Sequence, residues 1–278
     1  MSTKANTKQK TLGPQAARLV VELHERNRVI FTLADVEAIT GLAPKSARNF
    51  TATLVTRSVA TRLKPGLFIL VPFELGRERE YLGNPYVVAR EIAADTSYYI
   101  SHASAMEIHQ MTTQPQMVVY VCAVKRIRPR TVMGVEFRFV LCRKAAVFGI
   151  VEHWIEKTEK IRVSDIERTV IDGLAHPEYC GGISEVAKGM AMRRSDIDTR
   201  KLVDYALRLK SGVVIRRLGF LLELFDMAKP REIARLQKKL TNAYEVLDPL
   251  FPDEGRHISR WKLRLNVSPE ELEAAGRT

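Results

Sequence analysis

A short stretch near the N-terminus places hydrogen-bond donors on one side of a predicted helix. Proline at position 44 favours the first turn of a helix, and Ala47, Phe50 and Leu54 would then share an apolar face. The opposite face carries charged and short polar side chains: Lys45, Ser46, Arg48, Asn49 and Thr53. Groups of this kind donate hydrogen bonds to phosphates and to the edges of bases. The pattern therefore predicts a helix that packs by one face and contacts DNA with the other.

Two further helices are predicted before this one, and they would hold it in place. Residues 14–26 carry apolar side chains at helical spacing, at Ala16, Leu19, Val20 and Leu23. A second, shorter helix is indicated by apolar and capping residues: Thr32, Leu33, Val36, Ile39 and Gly41. Three helices with a tight glycine turn before the third describe a helix-turn-helix, in which the third helix enters the major groove.

The residues after the third helix predict a β-hairpin. Residues 58–63 and 67–71 are prone to form strands, and Lys64-Pro65-Gly66 between them has the composition of a tight turn. A hairpin in this place is a wing, from which Arg62 and Lys64 would reach the DNA backbone or the minor groove. The alternative is a unit of the same shape that binds protein and no nucleic acid.

Positive charge is concentrated in the same region. The chain of 278 residues has a net charge of +12, and residues 1–71 contain eleven lysine and arginine residues against four acidic ones. This quarter of the chain therefore carries +7, and a field of that sign attracts polyanions. Residues 1–13 are predicted to be a basic, flexible tail that adds salt-dependent phosphate contacts. Pattern and charge together predict that residues 14–72 form a winged helix-turn-helix that binds double-stranded DNA.

Composition excludes several other classes of protein. No apolar run is long enough to cross a bilayer, and the N-terminus lacks the apolar segment of a secretory signal. Cys122, Cys142 and Cys180 are an odd number of widely separated thiols, so neither a disulfide framework nor a zinc site is expected. We expect a cytoplasmic protein that binds no membrane, metal or cofactor.

The rest of the chain predicts a second, larger domain. Residues 73–84 are charged and contain glycine, so we expect a linker there, followed by a domain over residues 85–278. Its strands are predicted at 117–124, 135–141, 147–151 and 161–163. Its helices are predicted at 101–110, 165–175, 199–210, 213–226 and 230–240, and Ser164 with Glu167 forms a capping box before the second of them. The predicted fold class is α+β, with a mixed α/β second domain whose C-terminal half is helical.

Two groups of residues could support catalysis, but each has a simpler explanation. Ser101 and His102 are adjacent, so their side chains should point in different directions, and Ser101 is better explained as an N-cap. Acidic residues near strand ends resemble those of nucleases: Glu136, Asp165 and Glu167. No Asp/Glu-x-Lys signature accompanies them, and no phosphate-binding, protease or hydrolase motif occurs. We predict no catalytic residue, and a DNA-tethered nuclease is the alternative from a different class.

A second basic region lies on the predicted C-terminal helices. The candidate surface consists of Arg193, Arg194, Arg208, Lys210, Arg216 and Arg217. Cations on helices usually form a solvated face. The alternative is a docking surface for an acidic protein or for more DNA.

The chain resembles the AbiEi-type antitoxins, the transcriptional regulators of abortive-infection toxin-antitoxin systems. The resemblance spans essentially the whole chain and rests on residues 64–72 (KPGLFILVP) and 99–105 (YISHASA). It rests also on residues 165–172 (DIERTVID) with 177–182 (PEYCGG), which form the most specific block.

This resemblance implies a repressor with two activities. Its winged helix would bind inverted repeats in the promoter of its own operon, with the recognition helix at 44–57 and the wing at 62–68. Its second domain would counteract a cognate nucleotidyltransferase toxin, and the antitoxin itself would have no catalytic residue. The alternative is a stand-alone winged-helix regulator whose second domain senses a ligand or dimerises.

Overall fold

The computed structural model describes residues 12–75, 81–156 and 159–275. Most of the predicted basic tail, with Lys4, Lys8 and Lys10, therefore lies outside the described residues, as do residues 76–80 of the predicted linker. The fold class is α+β, as predicted.

The chain divides into two compact units. The first runs to Asp95 and includes Thr131–Val135; the second comprises Thr96–Arg130 and Glu136–Thr278. This division differs from the predicted boundary at 73–84, because the helix that begins at Pro85 belongs to the first unit. Sequence composition located the polar segment. It gave no sign that the helix after this segment packs against the residues that precede it.

The first unit combines helices with a three-stranded sheet. Its described helices are α1 (Pro14–Glu25), α2 (Leu33–Thr40), α3 (Pro44–Thr56) and α4 (Pro85–Ile92), and a 3-10 turn lies at Phe73–Leu75. Its strands are β1 (Ile30–Thr32), β2 (Ala60–Lys64) and β3 (Leu67–Leu70), which pair antiparallel in the order β1-β3-β2. The first three helices and the β2–β3 hairpin form the predicted winged helix-turn-helix, to which β1 adds a strand that was not predicted.

Capping residues set the ends of α2 and the start of α3. Thr32 and Asp35 form a capping box: the Thr32 hydroxyl accepts from the Asp35 amide, and the Thr32 amide donates to the Asp35 carboxylate at 2.7 Å. Gly41 ends α2 with φ of 72°, in the left-handed region that favours glycine. Pro44 occupies the first turn of α3. These signals confirm the turn predicted between the two helices.

The core of the first unit lies between its helices and its sheet. The apolar positions predicted on α1 are all buried, and Ala47 and Leu54 of α3 pack in the same cluster. Phe31 of β1 stacks on Phe68 of β3, with ring centroids 5.6 Å apart. The core therefore fixes α3 against the sheet by one face and leaves the other face to solvent.

A mixed sheet forms one part of the second unit. Its strands are β4 (Tyr98–Ile100), β5 (Val118–Ala123), β7 (Val135–Leu141), β8 (Ile150–Glu156) and β9 (Glu159–Ser164). The strand β6 (Arg130–Val132) precedes β7 in the chain, and two of its three residues belong to the first unit. Apart from β6, the strands follow the order β7-β5-β4-β9-β8. The β5/β7 and β4/β9 pairs are parallel, whereas β4/β5 and β8/β9 are antiparallel. The predicted strand at 147–151 forms three residues later than expected, and β4 was not predicted.

Helices and a small sheet form the other part of the second unit. The helices are α5 (His102–Ile108), α6 (Ile166–Ala175), α7 (Ile183–Met192), α8 (Thr199–Leu209), α9 (Gly212–Leu224), α10 (Pro230–Gln237) and α11 (Pro269–Ala275). The small sheet has β10 (Glu245–Val246), β12 (Leu263–Leu265) and β11 (Arg256–Ile258) in that order. Side chains from α6 to α9 form a large apolar core with Trp261. The C-terminal half is thus mainly helical, as predicted.

The helix α6 begins one residue later than the predicted capping box required. Asp165 is its N-cap, and the carboxylate of Asp165 accepts from the Arg168 amide at 2.7 Å. Ser164 ends β9 instead, and its hydroxyl lies 2.8 Å from the Thr169 hydroxyl. The prediction that Ser164 is the N-cap was therefore wrong, because Ser164 still pairs with Ile150 in the sheet. Among the described helices, none is both long and apolar enough to cross a membrane.

Candidate nucleic-acid interface

The polar face of α3 is exposed as predicted. Lys45, Ser46, Arg48, Asn49 and Thr53 are all exposed. Ala47, Thr51 and Leu54 are buried on the opposite side. The Thr53 hydroxyl donates to the Asn49 carbonyl at 3.0 Å, so this donor is already used within the helix. Within the described ranges the donors of the other four side chains have no partner, and they lie along one exposed arc of α3.

The exposed cations of this unit differ in whether they have a partner. Among the described residues, Lys45, Arg48 and Arg62 have no ion-pair or hydrogen-bond partner for their charged groups. Arg26 instead contacts Glu22 at 2.6 Å, and Arg28 contacts Asp35 at 2.8 Å. Arg57 at the end of α3 and Arg18 of α1 are exposed in the same way, so the uncompensated positive charge in the described part of this unit includes α3 and the hairpin but also extends to α1.

Asp35 is the acidic residue of the capping network at the start of α2, and both of its carboxylate oxygens accept hydrogen bonds. Burial tends to raise the pKa of Asp35, but hydrogen bonds from Thr32 and Arg28 outweigh this and hold the pKa below its usual range. Its carboxylate accepts from the amide and hydroxyl of Thr32 and from the Arg28 guanidinium. Asp35 thus fixes the start of α2 while remaining ionised.

The hairpin forms the predicted wing, but its two cations have different roles. Arg62 is exposed on β2, opposite Phe68 of β3. Lys64 is half-buried, and its ammonium donates to the carbonyls of Ile92 at 3.0 Å and Glu91 at 3.4 Å. The free carbonyls at a helix C-terminus attract a cation. The Lys64 ammonium is therefore held at the end of α4, unlike the partnerless Arg62 among the described residues, and its contact with DNA stays a prediction.

A cleft separates α3 from the wing, and we call it the wing cleft. Its α3 side consists of Arg48, Thr51, Ala52 and Val55, whose spacing places them on one stripe of the helix. Its other side includes Leu33, Arg62, Pro65 and Phe68. The cleft has a volume of about 430 Å³. Arg48 therefore faces the wing, whereas Lys45, Asn49 and Ser46 lie further round the helix.

The second basic surface is only partly present. Arg216 and Arg217 of α9 are buried, so their assignment to an exposed surface was wrong. The Arg216 guanidinium donates to the hydroxyl of Thr241 and the carbonyl of Ala243, and Arg217 donates to the carbonyls of Leu174 and Val246. Burial lowers the pKa of Arg217. These two arginines join segments of the helical core.

The other four members of this set remain on helix ends in the second unit. Arg193 pairs with Asp196 at 3.0 Å, and Arg194 donates to the Asp226 carbonyl. The Arg208 guanidinium lies over the ring of Phe148, 4.1 Å from its centroid. Lys210 is exposed and ends α8 with φ of 58°. Three of the four thus have local structural contacts, which favours the interpretation as a solvated face.

The serine and histidine considered for catalysis are hydrogen-bonded to each other, contrary to the expectation from sequence. Ser101 Oγ lies 2.9 Å from His102 Nδ1, because His102 starts α5 with a positive φ of 51°. Ser101 holds the N-cap position of α5, but its side chain makes no capping hydrogen bond. Both side chains are fully buried. The pair therefore has no access to a substrate in solution.

The acidic residues considered for metal-dependent catalysis each pair with a cationic side chain. Glu136 pairs with Arg138 at 2.7 Å, and Lys201 contacts both Asp165 at 3.1 Å and Glu167 at 2.8 Å. Within the described ranges, no group of three or more histidine, cysteine, aspartate or glutamate side chains is arranged to hold a metal ion.

The residues 165–172 contain a buried ion pair that sequence reasoning did not identify. Arg168 and Asp172, one helical turn apart on α6, lie 2.8 Å from each other with side chains only 2% and 6% exposed. The Arg168 guanidinium also donates to the hydroxyl of Tyr99 at 2.9 Å. Burial raises the pKa of Tyr99, so its phenol stays neutral. The spacing i, i+4 was the available signal for this pair.

Comparison with known proteins shows the fold alone. No family model matches the chain, and no match is found among curated proteins. Among solved structures, the chain is similar to the RV2827C protein from Mycobacterium tuberculosis, with 15% sequence identity and a TM-score of 0.69. The similarity covers 98% of this chain and 97% of that one.

Proposed function

We propose that this protein is a DNA-binding transcriptional repressor that acts on inverted repeats in the promoter of its own operon. The observation that carries the proposal is the exposed arc of α3, on which Lys45, Arg48 and Asn49 have free donors. A helix of this kind fits the major groove, where arginine pairs with guanine and asparagine with adenine. Arg62 on the wing supplies a phosphate contact at the edge of the same surface.

The double variant Arg48→Ala with Asn49→Ala tests this assignment. Each lost bidentate base contact is expected to weaken binding to the upstream DNA by roughly 1–3 kcal/mol, while binding to unrelated DNA falls much less. Mobility-shift titrations on both DNAs at one fixed salt concentration give the two affinities.

Arg26→Ala is the matched control for this variant. It removes the same charge from the same unit, but Arg26 already pairs with Glu22. We expect its affinity for upstream DNA to stay close to that of the unchanged protein. Equal affinities for the double variant and the unchanged protein would show that α3 does not read the operator.

We further propose that the second unit counteracts a nucleotidyltransferase toxin, within a cytoplasmic toxin-antitoxin system. This part rests on the resemblance of residues 165–172 and 177–182 to the AbiEi-type antitoxins. The block 165–172 forms α6 with its N-cap, at the centre of the helical core of the second unit. A stable core of this kind would support an interaction surface apart from the DNA-reading helix.

The test of this second activity is first to look for a nucleotidyltransferase gene in the adjacent reading frame and then to co-express its product with this protein. We expect the unchanged protein to restore growth of cells that produce the toxin. The Arg48→Ala with Asn49→Ala variant should restore growth to the same extent when both genes are expressed from foreign promoters, because its second unit is intact. If neither protein restores growth, the antitoxin activity is disproved while the DNA assay still decides the repressor activity.

A further inference from the structure

The wing cleft has the dimensions and the lining of a small-molecule site. Its volume of about 430 Å³ is within the range of pockets that bind compact ligands. Leu33, Ala52, Val55 and Phe68 provide an apolar lining. The backbone at its tip is fixed, because the Leu33 amide donates to the Gly66 carbonyl at 3.3 Å.

Two arginines give this cleft a definite charge preference. Arg48 comes from α3 and Arg62 from β2, so they line the cleft from opposite sides. Neither guanidinium has a partner among the described residues, and the lining contains no acidic side chain. Each presents a planar fork of donors that matches a carboxylate.

The apolar lining and the two arginines together select a class of ligand. A simple inorganic anion would leave the apolar lining in contact with water, whereas a neutral hydrocarbon would leave both guanidinium groups without an acceptor. An aromatic carboxylate satisfies both parts, because its ring would cover Val55 and Ala52 while its carboxylate pairs with Arg48 and Arg62.

We propose that the wing cleft is a binding site for a small aromatic carboxylate. The ligand occupies the space between the recognition helix and the wing and withdraws Arg48 and Arg62 from other anions. A consequence, which rests on the proposed function, is that the ligand competes with DNA. The operon would then be derepressed by an aromatic acid that acts directly on the DNA-reading surface.

The binding experiment uses the full chain and 1-naphthoate, without DNA. Calorimetric titration gives the affinity, and amide chemical shifts locate the site at α3, β2 and β3. Arg48→Met with Arg62→Met is expected to weaken 1-naphthoate binding by roughly tenfold or more. Ala52→Leu should weaken 1-naphthoate binding although both arginines remain, because the larger side chain occupies part of the space that the ring would cover. The matched controls are Arg57→Met and Ala38→Leu, which change exposed residues outside the cleft lining and should bind as the unchanged protein does.

Three outcomes overturn the proposal. These are the absence of 1-naphthoate binding, equal binding of acetate or inorganic phosphate, and equal binding of the neutral 1-naphthalenemethanol. Adding 1-naphthoate to a complex with upstream DNA then tests competition, which Ala52→Leu should shift to higher 1-naphthoate concentrations. A chain that binds 1-naphthoate but not upstream DNA keeps the cleft and loses the proposed function. If the protein binds upstream DNA but not 1-naphthoate, the proposed function is supported and the ligand site is disproved.

Discussion

Replacing Asp172 with alanine is expected to destabilise the second unit by about 3–5 kcal/mol. The substitution leaves the guanidinium of Arg168 buried without its carboxylate, in a site where that side chain is only 2% exposed. The hydroxyl of Tyr99 and the ring of Phe148 remain as neighbours of Arg168, but neither carries a compensating negative charge. The loss should therefore greatly exceed that of a surface ion pair.

Urea unfolding followed by tryptophan fluorescence measures this effect. Both tryptophans of the chain, Trp154 and Trp261, lie in the second unit, so the signal reports on that unit. Asp204→Ala is the control, since it removes a carboxylate from an exposed pair with Arg235 and should cost roughly 0–1 kcal/mol. A loss for Asp172→Ala as small as that of the control would contradict a buried charge at Arg168.

A double replacement separates burial of charge from loss of packing. Arg168→Met with Asp172→Leu removes both charges, and we expect it to recover most of the stability lost in Asp172→Ala. The pair leaves two buried nitrogen atoms of Arg168 and one oxygen of Asp172 without a hydrogen bond. Apolar side chains of similar size have no such unpaired atoms. The pair is thus better explained as a determinant of specific packing than as a large net source of stability.

Gly219→Ala is expected to destabilise the same unit by about 1–3 kcal/mol or more, by overpacking its core. A β-carbon at this position of α9 would overlap the six-membered ring of Trp261. That ring cannot move freely, because Trp261 is fully buried and its Nε1 donates to the Glu223 carboxylate at 2.6 Å. A loss of stability is unusual for this substitution. Replacing a glycine in a helix interior with alanine normally stabilises the helix by roughly 1 kcal/mol.

Thermal unfolding monitored by circular dichroism tests the Gly219 prediction. The control is Gly219→Ala combined with Trp261→Phe, which removes the ring atoms that the new methyl group would meet. The double variant should lose less stability than the sum of the two single variants, because each change relieves the other. If Gly219→Ala were as stable as the unchanged protein, α9 and Trp261 would pack less closely than described.

The first unit could be predicted closely from sequence because its signals are local. Pro44 and Gly41 define a turn through backbone preferences that need no tertiary partner, and Pro65-Gly66 does the same for the hairpin. The strand β1 was not predicted, because three residues are too few to show an alternating pattern. Its formation depends on pairing with β3, which is distant in the sequence. The same reason explains why β4 was missed in the second unit.

The exposure of candidate site residues could be predicted where it follows from helix periodicity. It could not be predicted where a side chain is buried against backbone carbonyls from distant parts of the chain. Exposure of Arg48 and Asn49 follows from their place opposite the apolar face of α3. Burial of Arg216 and Arg217 depends on carbonyls supplied by other segments of the chain. One sequence signal was nevertheless available, because α9 is apolar nearly all round and such a helix is usually buried.

The attachment of Lys64 to the end of α4 has a consequence for how the wing would meet a partner. A hairpin tip usually moves on its own, and ordering it on binding lowers affinity through lost conformational entropy. Here the ammonium of Lys64 fixes the strand two residues from Arg62 before any partner arrives. This part of the wing would therefore need no ordering when a partner binds. Association would then be limited by diffusion and electrostatic attraction and would require no folding of the hairpin.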